Sequence, residues 1–101
     1  MRLQYLSISS SEDDNGHGSW EAMASVRPAD AAAARAELDQ LLAWAEAHAP
    51  GPRGALEEHG VWDAHLQEQQ EGPEWTTLTL TLVGPVAWGE ALLQQVDTED
   101  A

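Results

Sequence analysis

Between Trp75 and Val83 the chain reads WTTLTLTLV, with Leu78, Leu80 and Leu82 alternating strictly with Thr77, Thr79 and Thr81. A period of two marks a strand with one face buried, because successive side chains point to opposite sides of the pleat. A slip of one residue would carry every leucine to the solvent face, so the register of such a strand is strongly specified. The segment Val61–Gln70 supplies a matching partner. Its Trp62, Ala64 and Leu66 point one way, and Asp63, His65, Gln67 and Gln69 the other. Leu66 is expected opposite Leu78 or Leu80, which puts His65 and Gln67 beside threonines. Glu71-Gly72-Pro73-Glu74 reads as the turn between the two strands.

A second hairpin precedes this one. Leu3–Ser10 reads as a strand, 11–18 as a turn built on Asn15-Gly16, and Trp20–Arg27 as a strand with Trp20, Ala22, Ala24 and Val26 on one face. Pairing Leu6 and Ile8 with Val26 and Ala24 leaves Tyr5, Ser7, Ser9, Ser25 and Arg27 on the other face. From Pro28 or Asp30 to His48 the period becomes helical. Ala31, Ala34, Leu38, Leu41, Leu42, Ala45 and Ala49 form one stripe, and Asp30 is the expected N-cap. Ala49-Pro50-Gly51-Pro52 ends that helix, and Arg53–Gly60 is a connector with one turn of helix expected at 55–58. Gly84-Pro85 opens a last helix over Val86–Val96, with Pro85 at its first position and Trp88 and Leu92 turned inward.

The predicted architecture is α+β, of order β-β-α-β-β-α: a four-stranded antiparallel sheet with two helices packed on one face. It forms a single domain over 1–97, followed by a frayed acidic tail at 98–101. Residues 1–49 and 61–97 read as a pseudo-repeat marked by Trp20 and Trp75, by duplication or by convergence on a simple motif. A hydrophobic fraction of 43% is enough for one core. One sheet face is then apolar and covered. The other is a carpet of Ser, Thr, Gln and His, which is either solvated or a ligand surface.

Charge narrows the partners. Four arginines, no lysine and eighteen acids leave a net charge of −14. Such a field repels nucleic-acid phosphates and anionic lipid headgroups, and it favours basic proteins or cations. With no cysteine there is no disulfide, thiolate catalysis or Cys-type zinc site. The first residues lack the apolar core of a signal peptide, and no apolar run approaches the ~20 residues of a membrane span. The cytoplasm is the expected location. Alanine richness and arginine without lysine point to a GC-rich bacterial genome.

Chemical motifs are sparse. No G-x-S-x-G elbow, G-x-G-x-x-G loop or H-E-x-x-H helix occurs, and Glu57-Glu58-His59 lacks the second histidine. In Glu12-Asp13-Asp14-Asn15-Gly16-His17 the acids resemble a calcium loop, but the distal ligand position falls on Ala22 or Ala24. Asp63 and His65 share a strand face in the manner of a dyad, or of a solvated polar face. No catalytic residue, metal ligand or cofactor is assigned.

The reading is therefore a small, non-enzymatic acidic binding or regulatory protein that neutralises a basic protein, as a monomer or weak homodimer. Its contact candidates are Glu12, Asp13, Asp14, Glu71 and Glu74 at the hairpin tips, with Trp44 as an anchor at the edge of its helix stripe. The alternative is a small-ligand-binding or minor enzymatic domain using Tyr5, Asp63, His65, Gln67 and Thr79 on the open sheet face.

Overall fold

The computed structural model describes residues 2–13, 15–54 and 60–98. Its elements are β1 (Arg2–Leu3), β2 (Ser7–Glu12), β3 (His17–Val26), a 3₁₀ turn (Pro28–Asp30), α1 (Ala31–Ala47), β4 (Asp63–Glu71), β5 (Trp75–Pro85), α2 (Val86–Gln95) and β6 (Asp97–Thr98). The main sheet has four antiparallel strands in the order β2-β3-β5-β4, and the predicted β-β-α-β-β-α architecture holds. The hairpins join through their second strands, so β3 and β5 lie at the centre.

The leucine–threonine strand behaves as its period requires. Leu66 opposes Leu80, with His65 opposite Thr81 and Gln67 opposite Thr79. Leu78, Leu80 and Leu82 are buried with Trp20, Ala22, Ala24 and Val26 of β3. Ala34, Leu38, Leu41 and Ala45 of α1 and Trp88 and Leu92 of α2 complete the same core. α1 contains no β-branched residue, and its Ala- and Leu-rich composition suits a helix. It ends at Ala47, before Pro50 and Pro52.

Several boundaries differ from expectation. Leu3–Ser10 is not one strand: the chain bends after Leu3 and β2 begins only at Ser7. The cause lies on α1. The buried Glu37 carboxylate accepts the backbone N–H groups of Gln4 (3.0 Å), Tyr5 (3.1 Å) and Leu6 (3.3 Å). Those amides are thereby taken from any ladder. The first hairpin is also shifted by two residues, with Ile8 opposite Ala22 rather than Ala24. Its ladder runs out to Glu12–Gly18, and the loop is closed tightly by the Asp13 N–H donating to the His17 carbonyl at 2.9 Å. A shift of two leaves the side chains of the paired residues Ser7–Glu12 and Gly18–Met23 on their expected faces.

Asp30 precedes α1 but makes no side-chain cap; it belongs to the 3₁₀ turn, with near-helical φ −100° and ψ −2° instead of extended N-cap geometry. Ala49 is exposed, outside the buried stripe. Pro85 ends β5 in extended geometry, so α2 starts one residue later, its Val86 N–H donating to the Gly16 carbonyl at 2.9 Å. The tail does not begin to fray at 98: Asp97–Thr98 form β6, parallel to β1. The helical turn expected at 55–58 lies outside the described residues, as do residues 99–101.

Three tryptophans close one end of the core. Trp20 and Trp88 meet edge to face at 6.2 Å, and Trp62 lies 5.5 Å from Trp88. Glycines make room for them. A methyl on Gly18 or Gly84, which oppose each other across β3 and β5, would meet Trp20 at 2.7 Å or Trp88 at 2.8 Å. Trp75 is not the counterpart of Trp20. Trp20 is 1% exposed on the helix side of the sheet, whereas Trp75 is 42% exposed on the opposite side. The spacing between them therefore links inequivalent positions.

Candidate functional site

The register lays out the uncovered face row by row. One row crosses all four strands as Ser11, Ser19, Val83 and Asp63. The next is Ser9, Glu21, Thr81 and His65, and the third Ser7, Met23, Thr79 and Gln67. Asp63, His65, Gln67 and Thr79 thus share the open face, as the alternation predicts. Tyr5 does not. It sits in the bend before β2, half-buried against the core, with its backbone N–H held by Glu37.

Asp63 and His65 do not form a dyad. The Asp63 Oδ1 accepts from the Arg53 Nε at 3.3 Å and from the Ala64 backbone N–H at 2.8 Å. His65 is exposed, opposite Thr81. Among the described residues, no three acidic or histidine side chains group as a metal site.

A cleft of about 410 Å³ lies at the end of the open face. Ser11, Glu12, Asp13, His17, Gly18 and Ser19 of the first hairpin form one side. Gly54, Val61, Trp62 and Asp63 form the other, and Val83 and Gly84 join them. The hairpin loop is shaped by Asp13, whose Oδ1 accepts the N–H groups of Asn15 (2.8 Å) and His17 (3.0 Å). Those two hydrogen bonds hold the Asp13 carboxyl below its ordinary pKa of 3.8. Gly16 follows with φ +79°, a conformation that glycine adopts without a Cβ penalty.

Arg53 braces the opposite wall. Its guanidinium lies 5.4 Å from the Trp62 ring centroid, donates to the Ala64 carbonyl at 3.1 Å, and lies 3.7 Å from Glu46. Trp62 in turn donates its Nε1–H to the Gly51 carbonyl at 3.1 Å. The start of the connector is thereby tied to β4 through Arg53.

The partner-contact candidates separate into distant groups. Glu12 and Asp13 are exposed at the cleft, while Asp14 lies outside the described residues. Glu71 and Glu74 are exposed at the β4–β5 turn. The two turns stand at opposite ends of the sheet, since His17 opposes Pro85 and Val26 opposes Thr76. Trp44 belongs to neither end of the open face. It is half-buried on α1, stacked on His48 at 4.4 Å, so its ring is partly covered. The exposed tryptophan is Trp75, with the Arg27 guanidinium 5.4 Å from its centroid. Its parity with Thr77 and Thr79 marks it as outward-facing, a signal already present in the alternation. Arg53 carries no such signal, because its partners are brought together only by the connector's path.

No family model matches the chain, and no curated protein or solved structure matches it.

Proposed function

We propose that this chain is a small non-enzymatic binding protein that engages a basic protein partner, working in the bacterial cytoplasm. The observation that carries the reading is how its ionic groups are used. The three arginines with described side chains are all engaged internally: Arg35 with Glu68 and Asp39, Arg53 with Asp63 and Glu46, and Arg27 over Trp75. Glu12, Glu71 and Glu74 are exposed, and no ion pair among the described residues reaches them. With a net charge of −14, both ends of the sheet are left to attract cations.

The test is affinity purification from a lysate of the source cell, followed by titration of the purified partner at several salt concentrations. The expected result is one basic protein whose affinity falls steeply as ionic strength passes about 0.1 M. A salt-insensitive complex, or no basic partner at all, overturns the reading.

A second reading is a small-ligand site, favoured by the size of the cleft, whose volume lies within the roughly 300–1,000 Å³ of typical ligand pockets. No helix among the described residues is long and apolar enough to cross a membrane.

A further inference from the structure

We infer that the outer edge of β4, over Leu66–Gln70, takes up an extended basic segment of the partner as a fifth strand of the sheet. This rests on the reading above and adds the surface used and the manner of binding. β4 lies at the margin of the sheet, paired with β5 alone. In an antiparallel ladder, alternate residues turn their N–H and C=O groups toward the same neighbour. Ala64 shows which residues of β4 face outward. Its N–H donates to the Asp63 Oδ1 at 2.8 Å, and its carbonyl accepts from Arg53 at 3.1 Å. The carbonyl of Trp62, of the same parity, accepts the Gly54 N–H at 2.8 Å. Leu66, Glu68 and Gln70 share that parity. Among the described residues, no hydrogen bond from outside the ladder reaches their main chain.

The chain itself already uses this margin. Arg53 forms a parallel bridge with Trp62, and its side chain covers the edge as far as Ala64. Beyond that point the usual guards of an edge are missing. Pairing with β5 is continuous from Asp63 to Glu71, so no bulge turns the edge away, and DAHLQEQQE contains neither proline nor lysine. The inward charge of Glu68 is countered by Arg35 at 3.3 Å. Charge and packing then define the occupant. Asp63 and Glu71 flank the open side of the edge, while Leu66 on the helix side is only half-buried. A strand with basic residues on the open side and an apolar one beside Leu66 satisfies both. A second copy of β4 does not, because two chains of charge −14 would meet. On the opposite margin, Ile8, Ser10 and Glu12 of β2 face outward, since Asp13, of the other parity, bonds to His17 across the hairpin. That edge is shorter and carries one acid to the three of β4, which favours β4 for a basic strand.

The probe is an acetylated and amidated peptide of alternating lysine and valine, about seven residues long so as to span the edge. It is titrated into the full chain and followed by NMR. Saturable shifts and slowed amide exchange are expected at Leu66, Glu68 and Gln70, with Ile8 and Ser10 unchanged. The same peptide N-methylated at every residue keeps its charge and side chains but has no main-chain donor. It should bind about tenfold more weakly or worse, because main-chain hydrogen bonds supply the affinity in strand addition. A glutamate–valine peptide should not bind. Gln70→Pro, at an exposed position, removes an outward N–H and leaves the β5 ladder intact, so it should weaken the lysine–valine peptide several-fold. Equal binding of the N-methylated or the glutamate peptide, or shifts centred on Ile8 and Ser10, overturns the inference. So do concentration-dependent shifts at Leu66–Gln70 without peptide, which would put a second copy there. A complex with the purified basic partner that leaves exchange at Leu66, Glu68 and Gln70 unchanged also overturns it, while leaving the proposed function standing. Edge pairing in a chain for which no basic partner exists supports the edge and removes the proposed function.

Discussion

Gly89 of α2 lies flush against the indole of Trp20 on β3, so close that a methyl group there would coincide with the ring. The contact sets how near α2 can approach the sheet. Gly89→Ala should therefore destabilise the fold by about 1–3 kcal/mol, the usual cost of overpacking, although alanine is the better helix former by ~1 kcal/mol. Urea unfolding followed by tryptophan fluorescence measures this, and a stabilised variant would show that α2 can simply move outward.

Glu37 is the one buried carboxylate among the described residues, and its role is mechanical. It holds the amides of Gln4, Tyr5 and Leu6 and so pins the bend between β1 and β2. Glu37→Ala leaves those three donors unmet and should cost about 2–4 kcal/mol. Glu37→Gln keeps one acceptor oxygen and should cost less. Hydrogen exchange at residues 4–6 should accelerate in both, ahead of exchange in β5.

Asp13 makes the hairpin loop sensitive to acid. Its carboxyl is held below 3.8 by the N–H groups of Asn15 and His17. A depressed folded-state value means that its contribution is complete above the unfolded value and is lost as pH falls through the folded one. The side chain is fully exposed, so the expected effect is local. The carboxyl carbon should titrate below 3.8, and the amides of Asn15 and His17 should lose protection over the same range, as in Asp13→Ala at neutral pH. Titration at or above 3.8 would remove the loop hydrogen bonds from solution.

The two sides of β5 should respond oppositely to substitution. Leu80 is 1% exposed, and Leu80→Ala should cost about 2–5 kcal/mol by leaving a cavity. Thr79 sits next to it on the open face, and Thr79→Arg should stay within about 0.5 kcal/mol of the parent. Thermal melts of the two variants check the orientation of the whole sheet.

The chain should sediment as a monomer at micromolar concentration. The open face carries large exposed apolar groups only at Met23, Trp75 and Val83, and two copies would bring together a charge of −14 each. Dimerisation that persists at low salt would contradict this.

Much of the sheet was legible because a strand's faces are local. The parity of Leu78, Leu80 and Leu82 determines which side of β5 is buried, and it extends unchanged to Trp75, Thr79 and Val83. The alanines and leucines of α1 likewise declare their stripe through spacing alone. Composition determined the net charge of −14.

Tertiary structure decided everything that depends on a long excursion of the chain. Glu37 looks like any solvated helix glutamate until the N-terminal bend meets it 31 to 33 residues away. Tyr5 shares the parity of the open face yet leaves it for the same reason. Trp44, expected as an exposed anchor, is instead partly covered, because His48 stacks on its ring. The cleft itself combines a hairpin loop, a connector and the end of β5. Periodicity reports the direction of a side chain relative to its own element. It carries no information on which distant backbone will arrive beside it, and that arrival is what made the cleft.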